Sequence, residues 1–302
     1  MQSVKEFLTP EEFRQVTHRS NWRGASIVVF DWMVIILTFL MLANYPNPLT
    51  IIVSLFVLGA RQLGLGIIVH ETGHQSLFAS SRLNDFASKW LSGYWVFSDR
   101  KSYMQVHLQH HQSAGTEDDP DLNNYRAYPI SRTSLRRKFT RDLSGQLGLR
   151  RVKSIYRGIR RLKALDPDAR QYLTRSVGVN LALLAVLAAL GHAWIYLVWV
   201  IAFMTSHMLV VRIRQIGEHA AVPDQFDKDP RKNTRTIYIN PLERFLIAPH
   251  HVNYHLEHHL LASVPIYRLR SLHKILLKKG FYRDIAFQQG YFNLLRQVTY
   301  AH

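Results

Sequence analysis

The sequence predicts an all-α integral membrane protein, with four transmembrane helices in two hairpins and a cytoplasmic helical cap that holds a histidine-rich dimetal site. Three observations predict it. Four apolar runs are long enough to cross a bilayer, Lys and Arg crowd between the hairpins but are absent from their tips, and three histidine clusters fall on one side of the predicted membrane. The predicted unit is a single domain over residues 1–302, its cap drawn from 70–175 and 212–302.

The elements follow in chain order. Thr9-Pro10-Glu11-Glu12 predicts a capped start for a short amphipathic helix, with Pro at the first helical position and Glu at N3. A secretory signal is not expected, because acidic residues precede the first apolar run, which begins only near Ile27. A bilayer needs roughly 20 apolar residues. The spans are expected at about 27–43, 49–69, 177–190 and 194–211. Asn44-Tyr45-Pro46-Asn47-Pro48 is a turn between the first two, and Gly191-His192 hinges the last two. The apolar patch from Trp90 to Phe97 is too short to span and is expected to dip into the interface, where with apolar residues of the bundle it would line a tunnel.

Charge sets the expected orientation. The formal net charge is +17, and much of it sits in a basic segment that includes Arg132, Arg136, Arg137, Lys138, Arg141, Arg150, Arg151, Lys153 and Arg157. By the positive-inside rule this segment and both termini are expected to be cytoplasmic. Topology and anionic headgroups then account for the basic surplus, and no nucleic-acid motif accompanies it. Arg61 lies inside the second span and is expected to anchor a polar group or to pair with Asp31 across the hairpin.

There is no cysteine among the 302 residues, which excludes disulfides, zinc-thiolate sites, iron–sulfur clusters and thiolate haem. A metal would have to be held by His, Asp or Glu, and there are 16 histidines. His70-Glu71-Thr72-Gly73-His74 is HxxxH. His107-Leu108-Gln109-His110-His111 and His255-Leu256-Glu257-His258-His259 are both HxxHH. On a helix, residues i, i+3 and i+4 share a face, so an HxxxH pair can grip one metal. Adjacent histidines such as His110 and His111 diverge by about 100°, which lets one box feed two metals. His219 emerges at the same level, with Gln215 one turn earlier on its face. Nine imidazoles match two metal ions at four or five ligands each, whereas one zinc needs only three or four. Imidazole suits Fe, Zn, Cu or Ni, so ligand chemistry alone leaves the metal open.

Other residues have lesser roles in this reading. Glu71, Glu257 and Glu218 lie in or beside the boxes, where carboxylates commonly accept the second ring N–H of a bound histidine. Asp118, Asp119 and Asp121 are candidates for the same task or for capping the turn before Pro120, and Asp121 is counted with Asn253 and His251 in the shell behind the ligands. His207 reads as a hydrogen bonder inside the bundle. His18, His192, His273 and His302 read as surface residues.

These residues resemble the membrane fatty acid desaturase and hydroxylase superfamily. The likeness is carried by the three boxes, by Asn253-Tyr254 before the last one and Ala262-Ser263-Val264-Pro265 after it, and by Asp118-Asp119-Pro120-Asp121-Leu122 after the second. It covers the chain from the first span to about Leu276. The resemblance implies two ferrous ions held by His70, His74, His107, His110, His111, His219, His255, His258 and His259, with Gln215 acting through water. It also implies O2 as co-substrate, a lipid acyl substrate, a separate electron donor such as a ferredoxin, and a bacterial inner membrane. The implied reaction places a double bond in a fatty acyl chain. Carotenoid ketolases and hydroxylases carry similar boxes and are the alternative. A metal transporter would place its ligands near the bilayer midplane, unlike these boxes at the span ends.

Overall fold

A computed structural model describes residues 4–300, so His302 lies outside the described residues. The chain is helical, as expected. Thr9 caps α1 (Pro10–Thr17), and its backbone N–H is returned to the Glu12 carboxylate at 2.8 Å. The long helices are α2 (Asn21–Asn44) and α3 (Pro48–Gly73), whose start is capped by Asn47. α4 (Ser81–Trp90) and α5 (Arg100–Ser113) follow, then the basic pair α6 (Arg132–Leu143) and α7 (Gln146–Arg160). The second hairpin is α8 (Pro167–Ala189), α9 (Trp194–Met204) and α10 (Ser206–His219). α11 (His255–Leu260) and α12 (Ile266–Lys278) complete the cap.

Four stretches are long and apolar enough to cross a membrane, ending at Asn44, Gly73, Ala189 and His219. The third run reads short in sequence, but α8 has 23 residues, about 35 Å of helix, because its first turns are polar and capped by Asp166. The fourth is broken at Thr205, whose φ −122, ψ −86 separates α9 from α10. Ser206 at the break donates to the carbonyl of Leu55 on α3. Gly59 makes this approach possible, since a Cβ there would stand 2.3 Å from the Ser206 hydroxyl. Val29, Met33, Ile36, Leu37 and Leu40 of α2 and Leu181 and Val186 of α8 remain exposed, as lipid-facing positions should.

α3 belongs to both apolar cores. Leu58, Leu65 and Ile68 pack with Val28, Ile35 and Trp199 among the membrane helices. Leu63 and Ile67 pack with α10 and the cap. Burying a leucine such as Leu272 or Leu276 contributes about 1.5–3 kcal/mol in the water-facing cap. Two short parallel pairings clasp the cap: Ile130 with Thr299, and Ile237 with Gln288. Arg61 pairs with Asp31 at 2.7 Å, as expected, and Asp31 also bonds His250 at 2.8 Å.

Candidate metal centre

The nine histidines come from four helices. α3 ends on His70 and His74, α5 carries His107, His110 and His111, α10 ends on His219, and α11 is little more than the third box. The helix geometry splits the adjacent histidines as their divergence requires. His70, His74, His107, His111 and His258 form one group, while His110, His219, His255 and His259 form another. Within each group one donor atom per residue lies within 4.8 Å of every other. The groups touch through the stacked rings of His111 and His259, 4.4 Å apart.

The outer ring nitrogens are anchored. His70 Nδ1 gives its proton to Glu71 at 3.0 Å, and His110 Nδ1 to Asp119 at 2.8 Å. His219 Nδ1 donates to the carbonyl of Asn233 at 2.9 Å, and His255 Nδ1 faces Glu218 at 3.3 Å. A ring protonated at Nδ1 carries a lone pair on Nε2. The Nε2 atoms nevertheless face one another: His219 to His255 at 3.0 Å, His70 to His258 at 3.1 Å, His110 to His259 at 3.3 Å. Converging lone pairs repel unless a cation stands between them. Protons cannot easily serve. Burial and neighbouring imidazoles hold His107, His255, His258 and His259 well below the usual range, and push His111 down to about 3. The donor set therefore fits two metal ions.

The surrounding carboxylates differ from the sequence reading in one respect. Asp119, not Asp121, holds His110. Asp121 Oδ2 is 4.0 Å away, and its Oδ1 accepts from Asn124 at 3.0 Å. Burial alone would raise the pKa of Asp119, but hydrogen bonds from His110 and Tyr125 outweigh it and hold the carboxyl low. Glu71 is further fixed by Ser76 and the backbone N–H of Ile266. Glu218 is clamped by both arms of Arg214, at 2.6 and 2.8 Å.

Three expected helpers stand apart from the rings. Glu257 accepts from Thr236, Tyr282 and His273, so it locks the cap beneath the third box instead of touching a box histidine. His273 is accordingly buried and not a surface residue. It is held between Glu257 at 2.6 Å and the Tyr238 hydroxyl at 2.7 Å. Asn253 bonds the Ile237 carbonyl, and His251 lies beside Tyr254 in a separate cleft with Arg244.

A cavity of about 410 Å³ adjoins the second group. His110, His219, His255 and Gln215 line it, and His107 alone reaches it from the first group. Leu63 and Val211 of the bundle line it, as anticipated for an apolar tunnel, but polar groups share its wall. Of the Trp90–Phe97 patch only Val96 reaches it, whereas Gln62, Tyr103, Asp121, Arg151, His207, Arg214 and Glu218 do. Sequence reasoning missed Gln62, and it counted Arg151 with the topological charge because these residues converge from different helices.

The profile of the fatty acid desaturase family matches residues 46–291. A dihydrorhizobitoxine desaturase of Bradyrhizobium elkanii is 25% identical over 285 residues, 89% of this chain and 80% of that protein. A beta-carotene ketolase of a Paracoccus species is 27% identical over 236 residues, 74% of this chain and 80% of its own. The chain belongs to the fatty acid desaturase family.

Proposed function

We propose that this member of the fatty acid desaturase family is an O2-dependent membrane oxidase that introduces a double bond into a fatty acyl chain. The nine histidines would hold two ferrous ions, five rings on one and four on the other. The carrying observation is the His219–His255 pair, whose Nε2 lone pairs face each other at 3.0 Å while both Nδ1 atoms are engaged outward. Bound iron supplies the activation of O2. The balance is a –CH2–CH2– unit, O2, two external electrons and two protons giving –CH=CH– and two waters.

The protein's own part is positional. Glu71, Asp119 and Glu218 fix ring orientation and set negative charge beside the cations. The cavity presents substrate to His110, His219 and His255. Exposed Arg136, Arg137, Lys153 and Arg157 offer a basic face to an acidic donor such as a ferredoxin. The cytoplasmic placement of the cap is part of the same reading, from the basic loop between the hairpins.

The test is expression with a ferredoxin donor beside a His110→Ala control, with iron assay and mass spectrometry of total lipid. Desaturation gives a product two hydrogens lighter that is absent from the control. A product one oxygen heavier moves the assignment to hydroxylation. The ketolase relative, as similar as the desaturase, favours a second reading, oxidation of a carotenoid ring; carotenoid-producing cells would then yield a ketone.

A further inference from the structure

The cavity beside the four-imidazole group ends on polar atoms that the protein does not use. Gln62 is fully buried. Its amide N–H is given to the Trp199 carbonyl at 2.9 Å, and its Oε1 has no partner. His207, also buried, gives its Nδ1 proton to the Gly59 carbonyl at 3.4 Å, which leaves Nε2 as an acceptor. Arg151 reaches the same space from α7. One N–H bonds the Val96 carbonyl at 3.1 Å, and the guanidinium lies 4.9 Å from the Phe203 ring, which stacks on His207. No carboxylate among the described residues pairs with Arg151. Arg214 on the same wall is different, since Glu218 closes it.

A buried polar atom without a partner, such as Gln62 Oε1, is costly, and a half-buried guanidinium with no carboxylate beside it is free to bind an anion. One donor cation and two acceptors at one end of a cavity are complementary to a head group that both accepts and donates. We infer that this end receives the head group of the substrate, and that the substrate is an unesterified aliphatic acid with a hydrogen-bond donor beside its carboxylate, as in an α-amino acid. The inference rests on the cavity being the substrate site of the proposed oxidase. The carboxylate accepts from Arg151, whose fork suits it, and the donor serves Gln62 Oε1 and His207 Nε2. An ester or thioester lacks the negative charge that would pair with Arg151.

The chain then runs back toward the histidines past Gly66, where an added Cβ would meet nothing within 4 Å. Gln62 precedes His70 by eight residues of α3, about 12 Å along the helix. The oxidised carbon is therefore counted from the head group. The rim at exposed Val106 and Asn124 takes the free end of the chain.

The test is calorimetric binding to the iron-loaded full chain in nanodiscs, with 2-aminodecanoate, decanoate and methyl decanoate as probes. The expected order is 2-aminodecanoate, then decanoate, then methyl decanoate, with about tenfold or more between acid and ester. Arg151→Gln abolishes the preference for acid over ester. Gln62→Leu, which leaves Arg151 in place, abolishes the preference for the amino acid over decanoate. Gly66→Leu fills the passage and removes binding of all three. Methyl decanoate binding as tightly as decanoate, or Arg151→Gln keeping the acid preference, overturns the inference. An amino acid bound but not oxidised under O2 and reductant defeats the oxidase reading and leaves the head-group site standing. An ester oxidised with no preference for acids does the reverse.

Discussion

The two imidazole groups share two helices, two boxes and a ring contact, yet they are built differently. The first has five rings, of which only His107 lies on the wall of the 410 Å³ cavity. The second has four rings, three of them facing the cavity, with Gln215 and Glu218 beside them. A metal with a full protein shell is held in place, while one with a vacant position has room for chemistry. The difference teaches that equal spacing in the boxes does not make equal sites. The offset of one residue between His110 and His111 puts His110 on the cavity wall with the second group and His111 with the first.

The comparison breaks most sharply on iron content. His110→Ala leaves three rings in the second group, whereas His74→Ala leaves four in the first. The expected outcome is about one iron per chain and no turnover for His110→Ala, against nearly two for His74→Ala, by elemental analysis. Equal losses would mean the groups are equivalent. Next in size are the ring anchors. Asp119→Asn should lower activity or metal affinity about 10–100-fold, with the loss confined to the second group, and Glu71→Gln should do the same for the first. Iron titration distinguishes the two.

Asp31→Ala is a control remote from both groups. It leaves Arg61 buried without its carboxylate, and is expected to cost about 3–5 kcal/mol in unfolding while iron stays at two. Acid comes next, measured on chelated protein. Burial places the pKa of His111 in the folded chain at about 3, below its ordinary 6.5. The unfolded chain then binds the proton more tightly, so stability is full above pH 6.5 and is lost as the pH falls toward about 3. The loss is up to about 1.4 kcal/mol per pH unit for each such ring, read as a falling Tm. The smallest effect is expected from salt. Raising ionic strength should slow donor-supported turnover severalfold without changing the iron content of either group. A salt-independent rate would remove the basic face as the docking surface.

Much of this was legible in the sequence. The boxes, the spans and the Arg61–Asp31 pair all follow from local spacing or from a charge placed where lipid should be. What was not legible depends on elements meeting at a distance. Asp119 and Asp121 are equivalent as text, and only the turn after α5 decides which reaches His110. His273 looks like one more polar residue on an amphipathic helix until Glu257 is found opposite. Arg151 is one basic residue among many on α7, and its inward direction comes from packing beside Phe203. The break at Thr205 interrupts an apolar run without a Pro or Gly to announce it.

The two parallel pairings near the end of the described chain tie the stretches that follow the second box and precede the third. Residues 288–300 thus fasten segments made long before them. During synthesis the helices can enter the bilayer one hairpin at a time, but the cap cannot close until this late stretch has left the ribosome. Metal loading would then be a late event in biogenesis, and a chain stalled or clipped before residue 288 would carry all nine histidines without the pairings that fasten the cap.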